Sequence, residues 1–146
     1  MQISWYGNAS VKISSESGDA LFFDPFFSRN PAICQFSIKD IESVSAILVT
    51  HGHFDHVADL PHISAMLKKP IHAPKEVAKN LTNRLGVEAD LLVYANYEKE
   101  TAINSFLIRP YKAEHIKFDL PLIGATLSNM TRNFNRSSLA MLKRNL

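Results

Sequence analysis

The spacing of apolar residues changes period once along the chain. Through the first fifty residues the pattern is short-ranged. "QISWYG" and "SVKISS" are brief runs of β type around Gly7-Asn8, a dipeptide that favours a hairpin turn, and "ALFFD" follows a second turn at Ser17-Gly18-Asp19. "DPFFSRNPAICQFS" reads as a loop punctuated by Pro25 and Pro31, with Phe22, Phe23, Phe26 and Phe27 as core and loop anchors. After the apolar strand "SAILVT", the residues Val57, Leu60, Ile63 and Leu67 recur at helical spacing, so "DHVADLPHISAMLKK" predicts a helix with Pro61 near its first turn. "PIHA" is a short strand, and "PKEVAKNLTNRLG" a helix that opens on Pro74 and closes on Gly86. "LLVYA" and "INSFLIRPYKA" read as strands on either side of the polar turn "NYEKE". Strands, then helix, strand, helix, then strands indicate an α/β (α+β) fold with a mixed sheet.

Composition narrows the partners. A chain of 146 residues is sized for one domain, and a net charge of +2 from 16 basic and 14 acidic residues gives no overall pull toward nucleic acid or an anionic membrane. Cys34 is the only cysteine, so neither an intrachain disulfide nor a thiolate metal cluster can form, and the bland reading is an unreactive thiol in a reducing cytosol. No apolar stretch approaches the length of a membrane span and the first residues lack a secretory pattern, so the expectation is a soluble cytoplasmic protein with no membrane partner. In that setting the Asn-x-Ser/Thr matches at Asn8, Asn80, Asn129 and Asn135 are chance. From Leu120 onward there is no Asp, Glu or His, while Arg132, Arg136, Lys143 and Arg144 add positive charge, which marks 120–146 as a basic, partly helical continuation of a domain covering 1–119.

The chemistry concentrates in "THGHFDH", residues 50 to 56. A loop leaving the carboxyl end of a strand is where α/β proteins commonly place ligands. If the backbone stays extended, His51 and His53 project to the same side, and Asp55 and His56 follow where the chain turns into a helix. Imidazole and carboxylate suit zinc, manganese or iron, and the absence of thiolate points to a catalytic rather than a closed structural site. Four ligands so close together crowd one ion. Two ions, one held by His51 and His53 and the other by Asp55 and His56, relieve the crowding. His62 should face elsewhere on its helix, and His72 should pack within its strand.

"HGHFDH" resembles, position for position, the His-x-His-x-Asp-His motif of the metallo-β-lactamase superfamily of metal-dependent hydrolases. "ISWYGNASVKI" followed by "LFFDPF" resembles more narrowly the branch containing ascorbate-6-phosphate lactonase. The resemblance implies an αββα sandwich, two sheets face to face with helices outside, of which this chain looks like the first half. It implies that His51, His53 and a later histidine, matched by His115 in "YKAEHIKFD", bind one metal, and that Asp55 and His56 bind a second. Asp24 in "FFDPF" matches a family aspartate beside the site, although an Asx turn before proline would explain it equally.

The family's bridging aspartate after His115 and its final histidine have no counterpart, since the sequence holds no histidine after His115 and no acid after Asp119. The implied function is hydrolysis of a small-molecule ester, lactone or phosphodiester, with Asp55 catalytic and one or two ions of zinc, or alternatively manganese or iron, in a truncated form of reduced activity. The alternative is a non-catalytic metal-binding or oligomerising remnant of that fold. A half-sandwich would leave an apolar sheet face in water, so a homo-oligomer that covers this face is expected.

Overall fold

Gly7 and Asn8 adopt left-handed backbone angles, φ 94° and 50°, and so allow strand β1 (Gln2–Trp5) to fold back antiparallel onto β2 (Val11–Ser14). The computed structural model describes residues 1–28 and 39–113; His115, Cys34 and the basic continuation 120–146 lie outside the described residues. Strand β3 (Ala20–Phe23) pairs antiparallel with β2, and the sheet then becomes parallel through β4 (Ala46–Leu48), β5 (Ile71–Ala73) and β6 (Leu92–Tyr94). The six strands lie in sequence order. Parallel neighbours need crossovers, and helices provide them. Helix α1 (Lys39–Glu42) precedes β4, α2 (Phe54–Val57) and α3 (Leu60–Leu67) link β4 to β5, and α4 (Lys75–Leu85) links β5 to β6. As expected, α4 follows Pro74 and ends at Gly86, whose φ of 71° closes the last turn.

Two elements differ from the periodic pattern. The helix expected across 55–69 is broken between α2 and α3. Pro61 has no N–H to donate back to the carbonyl of Val57, and the Asp59 side chain turns away to accept from Phe27 N, Ser28 N and the Ser28 hydroxyl. The strand expected from "INSFLIRPYKA" is part of a hairpin, β7 (Thr101–Ile103) and β8 (Phe106–Ile108), because Asn104 takes φ 48° and reverses the chain. Helix α1 and a 3₁₀ turn at Ala89–Leu91 carry too few apolar repeats to announce themselves in sequence.

The pleat divides the sheet's residues between two cores. On one side Ala20, Phe22, Ile47, Val49, Ile71 and Ala73 pack with Ile41, Leu60, Ile63, Ala78 and Leu81 from the helices. This is the expected mixed sheet with helices on one face. On the other side Leu21, Ala46 and Leu48 pack with Ile103, Phe106 and Ile108 of the β7–β8 hairpin. Phe22 is buried between Tyr6 and Phe27, with ring centroids 5.5 and 5.6 Å away, and Phe26 is buried against Phe54 at 5.8 Å, so the phenylalanines act as anchors.

The hairpin changes the expected picture of an open sheet face. Strand register lines up two rows on that side, Ile3–Ile13–Leu21–Ala46 and Trp5–Val11–Phe23–Leu48–His72–Val93. The hairpin covers Leu21, Ala46 and Leu48 and leaves the outer residues of these rows in water, with Ile3 62% and Trp5 69% exposed. It is held by more than apolar contact: Asn104 Nδ2 donates to Asp19 Oδ1 at 3.0 Å and to Ser45 Oγ at 2.9 Å, and Ser105 N donates to Asp19 Oδ2 at 3.2 Å. Among the described residues no helix is long and apolar enough to cross a membrane.

His72 is the one titratable side chain in those rows, and burial pushes its pKa below the ordinary 6.5. A depressed histidine pKa means that the unfolded chain takes up the proton first. Its contribution to stability is therefore whole above about pH 6.5 and is lost as pH falls through the lower folded value. His72→Gln should flatten this part of the pH–stability profile in urea unfolding, and an unchanged slope would show that His72 is not buried in this way.

Candidate metal centre

Strands β3 and β4 run parallel and end side by side, which brings the residues after them together. Asp24 N donates to Leu48 O at 3.0 Å, and Asp24 adopts φ 45° with only 2% of its surface exposed. Its carboxylate then meets the start of the histidine loop. Thr50 N donates to Oδ1 at 2.8 Å, the Thr50 hydroxyl donates to Oδ2 at 2.7 Å, and His56 Nδ1 lies 3.0 Å from Oδ2. These contacts decide two tautomers. Thr50 has one hydroxyl proton and gives it to Asp24, so toward His51 Nδ1, 3.0 Å away, it can only accept. His51 Nδ1 therefore carries the proton, and the lone pair sits on Nε2. By the same reasoning His56 donates from Nδ1 to the carboxylate, and its lone pair sits on Nε2.

His53 is extended at ψ 152°, and as the alternation rule requires, it shares a side with His51: His51 Nε2 and His53 Nδ1 are 3.1 Å apart. Helix α2 then returns His56 over His51, with ring centroids at 3.9 Å, and brings His56 Nε2 to 3.8 Å from Asp55 Oδ2. His51, His53, Asp55 and His56 are thus gathered in one place. His62 is exposed on α3, and His72 sits in β5 in register with Leu48; neither belongs to the loop.

The donors come as two pairs. Two ligands of one tetrahedral zinc ion, each about 2.0–2.1 Å from it, stand about 3.4 Å apart. The separations of 3.1 Å and 3.8 Å bracket that spacing, one pair being two imidazole nitrogens and the other a nitrogen and a carboxylate oxygen, so each fits two ligands of an ion. Among the described residues no set of three His, Cys, Asp or Glu side chains converges to hold an ion.

Electrostatics favours the ligating forms. His51 is held below the ordinary histidine range, first by burial and then by the imidazoles of His56 and His53, against the opposing pull of Asp24 and Asp55. A neutral imidazole offers a lone pair. For Asp55 burial acts to raise the pKa, but the Asn8 amide, its own backbone N–H, His56 and His53 together outweigh it and hold the carboxyl below 3.8. Asp55 is a carboxylate at neutral pH.

The profile of the beta-lactamase superfamily domain matches residues 20–120. The chain belongs to the beta-lactamase superfamily. Among curated relatives, a UPF0173 metal-dependent hydrolase of Polaromonas sp. strain JS666 is 31% identical over 120 residues, 78% of this chain and 43% of the relative. One from Methanosphaera stadtmanae is 38% identical over 89 residues, 61% of this chain and 37% of the relative. The chain spans about two fifths of the length of the curated relatives it matches. Among solved structures, the metallo hydrolase Igni18 from Ignicoccus hospitalis has a TM-score of 0.56 at 18% identity, covering 70% of this chain and 42% of its own. Rubredoxin oxygen:oxidoreductase from Desulfovibrio gigas has a TM-score of 0.55 at 10% identity, covering 70% of this chain and 26% of its own. At these identities the likeness is one of fold, and the two names show one fold carrying two chemistries.

Three residues support this beta-lactamase superfamily loop without having been singled out for it by sequence. Thr50 lies beside the motif, and its hydroxyl at a strand end was the available signal. Ser10, fully buried, donates to Asp24 O at 2.8 Å and accepts from Phe26 N at 3.0 Å. Asn8 Nδ2 donates to Asp55 Oδ2 at 3.1 Å and to Asp55 O at 3.2 Å. Serine and asparagine in a hairpin turn carry no sign of a partner so far along the chain.

Asp24→Ala should destabilise the chain by about 3 kcal/mol, because the Thr50 N–H and hydroxyl and the His56 N–H lose their shared acceptor. Asp24→Asn keeps an acceptor and tolerates the left-handed backbone, so it should cost about a third as much. Equal losses in denaturant unfolding of the two variants would mean that the carboxylate is not the common acceptor.

Proposed function

We propose that this chain carries the metal-binding loop of a metal-dependent hydrolase of metallo-β-lactamase type that cleaves an ester, lactone or phosphodiester in a small molecule. The observation that carries this reading is the presence of two donor pairs, His51 with His53 and His56 with Asp55, each at the spacing of two ligands on one ion. The names of the relatives, metal-dependent hydrolases, support it. His51 and His53 would hold a first ion with His115 as the third donor that the family resemblance implies, and Asp55 and His56 would hold a second. Zinc suits these donors best, with manganese or iron as alternatives. When bound, such an ion lowers the pKa of a water from roughly 15.7 to about 7 and polarises the bond under attack.

The chain's own residues have definite tasks in this scheme. Asp24 keeps the His56 ring oriented through Nδ1, and Thr50 does the same for His51. On binding an ion His53 would shift to the tautomer protonated at Nε2, freeing Nδ1 as a ligand in place of its hydrogen bond to His51 Nε2. Asp55 orients the attacking water and takes up its proton at Oδ1, the oxygen that Asn8 does not hold.

A second reading, a non-catalytic metal-binding or oligomerising remnant of that fold, is favoured by the lack of a converging ligand triplet among the described residues. In either case the exposed ends of the two apolar rows, Ile3 and Trp5 on one side and Val93 on the other, support a homo-oligomer that buries them. A cytoplasmic setting suits a chain with one cysteine.

Protein purified without chelator should contain about one equivalent or more of zinc, manganese or iron by elemental analysis, and His51→Ala should lose it. Hydrolysis of lactone and phosphodiester model substrates should fall at least about 100-fold in His53→Ala. Equal rates for wild type and variant would refute catalysis by this chain, and bound metal without turnover would favour the remnant. Light scattering should give a mass above that of one chain, reduced to that of one chain by Ile3→Glu. A monomeric wild type would rule out the oligomer.

A further inference from the structure

The turn between β1 and β2 is built more firmly than a hairpin requires. Tyr6 N donates to Ser10 O at 2.9 Å and Ser10 N to Gly7 O at 3.0 Å, while the Trp5 indole donates to Asn8 O at 2.8 Å. Ser10 fastens the same turn to the Asp24 loop through its buried hydroxyl. Asn8 therefore stands on a fixed base. Its amide makes two bonds to one residue, to Asp55 Oδ2 and to Asp55 O, across 47 positions of sequence. Gripping side chain and main chain together sets the rotation of the Asp55 side chain as well as its place.

We infer that Asn8 is a positioning residue for Asp55, one that turns its carboxylate toward His56 Nε2 and so builds the second donor pair. The inference rests on the reading of Asp55 as a metal ligand. A simple turn role accounts for the left-handed φ of Asn8 but not for the direction of its amide, since glycine would serve the turn equally well. Asn8 also lies before residue 20, where the match to the superfamily profile begins, so the family comparison assigns it nothing.

That difference between asparagine and glycine gives the test. Metal-free full chain is titrated with zinc by calorimetry as wild type, Asn8→Gly and Asn8→Asp, with thermal midpoints measured alongside. Asn8→Gly keeps the turn and removes the amide. It should weaken the zinc equivalent held by Asp55 and His56, the weaker one because it has two donors against three, about 10–100-fold, the usual effect of losing a group that orients a ligand, while the tighter equivalent and the midpoint stay unchanged. Asn8→Asp should weaken it further, by setting one carboxylate against another. If Asn8→Gly binds both equivalents as wild type does, or loses both together with a lowered midpoint, the positioning role is overturned while the metal reading stands. If the wild type takes up no zinc, the metal reading itself fails and this role with it.

Discussion

One buried carboxylate determines how the strand ends and the histidine loop meet. Asp24 sits in the left-handed region immediately before Pro25, a backbone that costs on the order of 1–3 kcal/mol for a residue with a side chain. What offsets that cost is the set of hydrogen bonds it makes, with a Thr50 amide, a Thr50 hydroxyl and a His56 ring nitrogen on two oxygens. Bonds to an ionised acceptor are the stronger kind, and a buried site keeps water from competing for them. The consequence reaches both donor pairs, because His51 is oriented through Thr50 and His56 directly. Parallel pairing of β3 with β4 is what makes one carboxylate sufficient, since it ends both strands at the same level.

How much of this could be read beforehand follows from the range of each interaction. Period-two and period-three-and-a-half patterns locate β1 to β6 and α4 because side-chain direction is a local property of the backbone. The convergence of His51 with His53 is local for the same reason. The break before α3 is half legible: Pro61 marks it, while the pull of Asp59 on Phe27 and Ser28 depends on a fold already formed. Asn104 looked like one more polar residue in a strand, and its turn became visible only through its bonds to Asp19 and Ser45. Asp24 was matched by resemblance, but its hold on Thr50 and His56 is a matter of tertiary structure. Ser10 and Asn8 were illegible altogether, because a hairpin turn needs no distant partner.

The two faces of the sheet have different standing. The helical face is closed, with Phe22, Ile47 and Ile71 sealed by side chains from α1, α3 and α4. The opposite face is closed only at its centre, and polar contacts through Asp19 share the task of holding the cover in place. Among the described residues, a chain that spans about two fifths of its curated relatives has helices over one face of its sheet and a small hairpin over the other. The donor pairs follow the carboxyl end of β4, where Asp24 at the end of β3 fastens the loop.

The hairpin's place in the chain also governs the order in which the protein can assemble during synthesis. Leu21, Ala46 and Leu48 leave the ribosome before the Ile103 and Phe106 that cover them. At about 5–20 residues per second the roughly sixty residues between Leu48 and Ile108 take about 3–12 s to appear. For that interval the nascent chain holds an uncovered apolar stripe beside an exposed strand edge, the kind of surface that molecular chaperones recognise. Only when synthesis has passed Ile108 is the hairpin there to close the centre of the stripe.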